Sequence, residues 1–192
     1  NSVSYTEKPD VETFMREWTA LVESKSGERG IFNREASKKQ AKKYGRRDPD
    51  HEFGTNPCSE IILRPYQFCN LTEVVVRATD TIKDLERKVK IATILGTIQS
   101  SYTKFPYLRK VWQRNTEEER LLGVSLTGIM DNPLMTAVNS NLEKTLDNLR
   151  NIALATNHEY ADLLDIPQSA AITCVKPSGT VSQLVDSASG IH

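Results

Sequence analysis

Cysteine is scarce in this chain, with three residues, Cys58, Cys69 and Cys174, at irregular spacing. An odd number so spaced does not make a secreted disulfide framework, and a reducing, cytoplasmic setting is expected. Long apolar runs are lacking too. None approaches the roughly eighteen residues of a membrane span, and nothing resembles a signal peptide, so no membrane association is expected. Excess charge of either sign is missing: 25 basic side chains balance 25 acidic ones. That excludes a broad basic surface for nucleic acid. The G-x-x-x-x-G-K-[ST] pattern of a P-loop is also absent. What remains is 192 residues, 38% of them apolar, enough to fill the core of one domain. The chain opens on Asn1 rather than Met and stops on Gly190-Ile191-His192, and a fragment of a longer chain is expected.

Residues 11–23 carry Val11, Phe14, Met15, Trp18, Leu21 and Val22 at helical spacing, with Asp10 as N-cap. SGERG at 26–30 breaks the pattern. The basic run 34–48 reads as a solvated helix face or loop, with a phosphate-binding patch as the alternative. Residues 60–64 and 71–76 read as strands, separated by the turn PYQFCN. Long helices are expected over 81–103 and over 140–164, the latter capped by Ser140. A further helix is expected over 116–130, capped by Thr116, although Gly123 and Gly128 inside it predict close packing or a break. AAITCVKP reads as a short buried strand. Long helices alternating with short apolar strands predict an α/β architecture with a mostly parallel sheet.

The stretch GTNPCSEIILRPYQFCN, 54–70, carries the chemistry. Asn56, Cys58 and Glu60 recur at a spacing of two. On extended backbone such side chains face one volume. Together they offer an amide for orientation, a thiol for redox or radical work, and a carboxylate for proton transfer. Pro57 pre-sets the backbone and favours an extended Asn56. Cys69 lies eleven residues beyond Cys58, past a turn, so a chain that doubles back would bring the two thiols together. Two free thiols packed in a core are the plainer alternative. A metal site takes about three or four ligands. Only Cys58, Cys69 and His51 are at hand, so no metal is expected.

The second segment, AAITCVKPSGTVSQLV at 170–185, reads as strand, turn, helix. Its PSGTVS turn sets a glycine, hydroxyls and backbone N–H groups at a helix start, an anion-binding arrangement. Ser178, Thr180 and Ser182 can donate to phosphate oxygens. An ordinary N-cap by Ser178 or Thr180 is the competing reading.

Together these segments resemble the catalytic core of ribonucleotide reductases. They are most similar to the monomeric, adenosylcobalamin-dependent (class II) ribonucleoside-triphosphate reductases. The resemblance is carried by GERGIFNREA at 27–36, GTNPCSEIILRPYQFCNLTEVVVR at 54–77, EEERLLGVSLTGIMD at 117–131 and VKPSGTVSQLVDSASGIH at 175–192. It implies that 1–192 is part of a ten-stranded α/β barrel made of two antiparallel five-stranded halves. A finger loop at about 54–70 would carry the radical cysteine, and 177–183 would form the phosphate-binding turn and helix start. Cys58 would be the thiyl-radical residue that takes a hydrogen atom from the ribose 3′ carbon. Glu60 would take the 3′-hydroxyl proton, and Asn56 would hold the ribose hydroxyls. Cys69 would be one of two reducing cysteines, its partner coming from an earlier strand. Ser178, Gly179, Thr180, Val181 and Ser182 would bind substrate phosphates. The resemblance further implies adenosylcobalamin as cofactor, a ribonucleoside triphosphate as substrate and thioredoxin or a similar dithiol as reductant. A deoxynucleoside triphosphate effector and a monomeric state are implied as well. The alternatives are the large subunit of a reductase whose radical comes from a separate metal subunit, and a non-catalytic nucleotide-binding module. Cys174 reads as core, His158 as a surface histidine, Trp18 and Trp112 as packing anchors. His51 precedes the cysteine loop, and Arg64 and Lys176 are candidates for neutralising phosphates.

Overall fold

The structure is a computed structural model that describes residues 8–26, 30–43, 45–136 and 140–190. The chain divides into two compact units, Asn1–Asn33 and Arg34–His192.

The first unit is built on α1, Val11–Ser24. Asp10 caps it as its sequence predicts, accepting the Thr13 N–H at 2.8 Å. The helix ends where Lys25 turns left-handed at φ 47°. Val11, Phe14, Met15, Trp18 and Val22 form the expected stripe, and all are exposed. Trp18 stacks on Phe14 with centroids 6.1 Å apart.

The second unit opens with α2, Arg34–Lys43, and a hairpin of β1, Gly54–Thr55, and β2, Ile62–Leu63. Then come β3, Asn70–Val75, α3, Ile82–Ser100, and α4, Lys110–Glu119. β4, Leu122–Thr127, leads through a short 3-10 turn to α5, Pro133–Thr136. α6, Ser140–Leu163, and α7, Gly179–Leu184, complete it. The side chain of Ser140, the expected cap of α6, lies outside the described residues. α3 starts at a capping box, Thr81 with Asp84, which satisfies two end donors reciprocally. Its Leu85, Val89 and Ala92 pack with Val74, Val76, Leu122 and Val124 of the strands and Leu149 and Ala153 of α6. Burying each such aliphatic side chain contributes about 1.5–3 kcal/mol.

β3 and β4 pair in parallel, Asn70 opposite Leu122 through Val75 opposite Thr127. The segment 171–174 lies along the other side of β4. Leu122 donates to the Ala171 carbonyl, and Cys174 to the Val124 carbonyl at 3.0 Å. A buried amide ties this segment to the helices: Asn157 of α6 donates to Thr97 and Ser169, both at 3.0 Å.

Two expectations are corrected here. The first is the ten-stranded barrel. Among the described residues there are two two-stranded sheets, one isolated bridge at Thr173 and mostly helix, with no closed sheet. Closing a barrel takes about eight or more staggered strands, and the extended segments here are too few. The second is the helix over 116–130. α4 ends at Glu119, because Arg120 turns left-handed at φ 45° and its N–H bonds the Thr116 carbonyl. The alternation of Leu122, Val124 and Leu126 then finds a ladder partner in β3, which outweighs the helical spacing. Gly128 ends the strand in a left-handed conformation, where a Cβ would collide with the Val76 carbonyl. No helix among the described residues is long and apolar enough to cross a membrane.

Candidate active site

The hairpin carries the first thiol. Gly54 pairs with Leu63 and Thr55 with Ile62. Asn56 closes the loop between them. Its backbone N–H donates to the Ile61 carbonyl at 3.3 Å, and its Oδ1 accepts the Ile61 N–H at 3.0 Å. The Asn56 carbonyl accepts the Ser59 N–H at 3.0 Å, so Pro57 and Cys58 occupy the centre of a tight turn. Proline pre-sets the first central position of such a turn. Ser59 follows in the left-handed region at φ 63°. Cys58 is thereby placed exposed at the tip. The tip is a turn and not extended backbone, so the spacing-of-two rule does not align Asn56, Cys58 and Glu60. The paired hydrogen bonds between Asn56 and Ile61 outweigh the extended form.

The base of the hairpin is clamped by buried ions. Arg47 meets Glu119 in a fork, Nε to Oε1 and Nη2 to Oε2, each 2.9 Å, with both side chains at most 7% exposed. The same guanidinium donates to the Ile62 carbonyl at 2.8 Å and lies over the Phe53 ring at 4.7 Å. Gln67 joins Glu119 through Nε2 and accepts the Arg64 N–H at 2.9 Å. Arg64 itself is held by Glu118 at 2.7 Å and by Asn115, so it is committed to α4. Trp112 anchors this corner, its ring 4.6 Å from that of Phe68. The basic run 34–48 is thus not uniformly solvated, because Arg47 is core. No spacing signal in the run singles it out.

Cys69 immediately precedes β3 and is half-buried. Burial, then the Glu60 carboxylate, push its thiol above the usual range, and Lys176 opposes them. Cys174 is pushed up to about 12, by burial first and then by Glu60 and Cys69. The hairpin reaches this place through Ile61. Its Cδ1 lies 3.0 Å from where a Cβ on Gly123 would stand, Cys174 Sγ lies 3.2 Å from the same point, and Leu71 fills the rest. A side chain at 123 has no room, which is why the sequence has glycine in the middle of a strand. Glu73 of β3 faces Lys176 at 3.6 Å. One Glu60 oxygen and both Glu73 oxygens are buried with no hydrogen-bond partner among the described residues. Glu73 could have been found from sequence, since Cys69, Leu71 and Glu73 alternate.

The PSGTVS turn lies past the carboxyl ends of β3 and β4. Gly190 donates to the Pro177 carbonyl at 2.9 Å, Gly128 to the Ala188 carbonyl at 2.7 Å, and Arg77 to the carbonyls of Val185 and Asp186. Ser178 begins α7 in the left-handed region, at φ 58°, without a side-chain cap bond. Its buried hydroxyl has no partner. Ser182 is buried and donates to the Gly179 carbonyl, while Gly179 and Thr180 are exposed and Val181 is half-buried.

Glu60, Cys69 and Cys174 are therefore brought together, and Lys176 links them to the turn two residues on. Among the described residues no hydrogen bond or ion pair joins Cys58 to Glu60 or Cys69. His51 sits 3.7 Å from Asp48 and edge-on to Phe53, and His158 pairs with Asp162 on the surface. His192 lies outside the described residues. Among those described, no group of three His, Cys, Asp or Glu side chains is placed to hold a metal ion.

Two shielded thiols beside a carboxylate, with a third thiol on an exposed tip, make a thiol-based redox site on an α/β scaffold. No protein-family model matches the chain. The adenosylcobalamin-dependent ribonucleoside-triphosphate reductase of Lacticaseibacillus paracasei is 31% identical over 203 residues, covering 90% of this chain and 26% of that protein. The enzyme of the same description from Lactobacillus gasseri is 30% identical, and that from Lactobacillus leichmannii 28%, each covering 87% of this chain and 26% of the relative. A crystal structure of a B12-dependent (class II) ribonucleotide reductase superposes with a TM-score of 0.62 at 25% identity, over 72% of this chain and 22% of that one. The chain is homologous to the adenosylcobalamin-dependent class II ribonucleoside-triphosphate reductases, at modest identity. It spans about a quarter of the length of the curated relatives it matches.

Proposed function

We propose that this chain carries the reductive chemistry of a ribonucleoside-triphosphate reductase, converting ribonucleoside triphosphates to 2′-deoxyribonucleoside triphosphates. The observation that carries the reading is the buried, unpartnered carboxylate oxygen of Glu60 next to Cys69, on the hairpin whose tip presents Cys58. Cys58, as a thiyl radical, takes the hydrogen atom from the ribose 3′ carbon and later returns one. Glu60 accepts the 3′-hydroxyl proton, a role that needs hydrogen-bond reach of that hydroxyl. Asn56 holds the ribose hydroxyls through its Nδ2, since its Oδ1 is taken by Ile61. The 2′-hydroxyl leaves as water. Two thiols, Cys69 among them, supply two electrons and two protons and end as a disulfide, which thioredoxin or a similar dithiol reduces. The turn at Ser178, Gly179, Thr180, Val181 and Ser182 takes the phosphates, and the buried Ser178 hydroxyl supports that role.

Adenosylcobalamin dependence belongs to the names of the relatives and is proposed here as the source of the radical. The described residues form no site for a corrin ring, so no step above is routed through it. The test is to mix the protein with a ribonucleoside triphosphate, adenosylcobalamin and a dithiol, and to assay the deoxynucleotide, with Cys58→Ala beside it. Product that needs both cobalamin and Cys58 is the expected result, with Cys58→Ala at the blank. Product only after adding a metal-containing radical subunit would replace cobalamin while keeping the residue roles. Phosphate binding without turnover under either condition would overturn the reductase reading.

A further inference from the structure

We propose that Cys174 is a redox thiol of this site, and that a disulfide oxidant joins it to Cys69. Cys174 reads from sequence as an inert core residue, yet its sulfur fills the gap above Gly123 together with Leu71 and Ile61. Leu71 lies two residues past Cys69, the spacing that returns side chains to one face. Ile61 adjoins Glu60. Glu60 and Lys176 each act on both thiols, and Cys69 acts on Cys174, so the two sulfurs share one set of charged neighbours. Both thiols are free and half-buried, whereas Cys58 is exposed. The resemblance seeks a partner for Cys69 on an earlier strand, while Cys174 is a partner within this chain.

The reaction balances with a small disulfide as oxidant. The Cys69 thiolate attacks one of its sulfurs, releases one small thiol and is left as a mixed disulfide. Cys174 loses its proton to solvent, attacks the Cys69 sulfur and releases the second small thiol. Two protein thiols are oxidised and one small disulfide is reduced to two thiols. The Glu60 and Glu73 carboxylates hold back the second step and Lys176 favours it, because the thiolate is the attacking form. Where Cys69 is a reducing thiol, as in the reading above, this bond takes it out of service until a dithiol restores it.

The experiment uses the whole chain and 2-hydroxyethyl disulfide at pH 8 and at pH 9. Remaining thiols are blocked with N-ethylmaleimide, and the unreduced digest is mapped by mass spectrometry. The expected result is a peptide pair joining Cys69 to Cys174, with free thiols falling from the three present to one, Cys58. Dithiothreitol should restore all of them, and closure should speed about tenfold between the two pH values. Cys174→Ser should leave a persistent mixed disulfide on Cys69, and Cys58→Ser should keep the internal bond. A Cys58–Cys69 bond in the wild-type chain, or mixed disulfides on single cysteines only, overturns the proposal. No turnover is read, so this outcome and the fate of the reductase reading are separate.

Discussion

Cys58 and Cys69 are eleven residues apart, yet they sit in regions built on opposite plans. The tip around Cys58 is held by the hydrogen bonds of one residue, Asn56, and leaves its thiol in solvent. The region around Cys69 and Cys174 rests on a six-residue ladder whose glycine is covered from three sides. There the thiols are shielded, face carboxylates and stay protonated. The difference separates two demands. A group that must meet a ligand first is carried on a short turn with its own hydrogen bonds satisfied, on a base clamped elsewhere. Groups that must not react with bulk solvent are placed on a packed sheet face.

This contrast predicts that tip substitutions alter chemistry while ladder and clamp substitutions alter stability. The largest stability effect is expected at the clamp. Glu119→Ala leaves Arg47 as a buried unpaired charge, and urea unfolding should show a loss of about 3–5 kcal/mol. An unchanged midpoint would mean that the hairpin base does not depend on that pair. Gly123→Ala comes next, because the new methyl meets Leu71, Ile61 and Cys174. Overpacking of this kind costs about 1–3 kcal/mol, readable in the same titration. Asn56→Ala removes one acceptor at the tip and should cost about 1 kcal/mol, with faster proteolytic nicking at 57–59 as the local readout. The smallest effect is the pH dependence. Cys174 has a folded value of about 12 against an ordinary 9.0, so the folded state holds its proton more tightly. That contribution is whole below pH 9 and is lost as pH rises towards 12. Cys69 shifts in the same direction. Melting temperature should therefore fall across that window, and Cys174→Ala should flatten the slope.

Much of the scaffold was legible because its signals are local. Asp10 and Thr81 cap the helices that follow them, and β3 begins within a residue of its expected start. The stretch 116–130 misled because its apolar spacing suits a helix as well as a strand, and only a ladder with 70–75 separates the two. Arg47 was hidden in a basic run, since nothing near it in sequence marks the one cation that finds a buried carboxylate 72 residues on. The expected barrel failed for a different reason, being inferred from likeness rather than from strands present in this chain.

By itself the sequence determined the thiol count, the helix caps, the tight turn at Asn56-Pro57-Cys58-Ser59 and the motifs that carry the family likeness. All of these depend on residues within a few positions of one another. Only the tertiary structure decided that Cys58 stands apart from Glu60 and Cys69, that Cys174 joins them, and that Gly123 lies in a strand. Those outcomes depend on pairings between distant segments, and such pairings form when burial and ladder hydrogen bonds together outweigh the entropy of closing long loops.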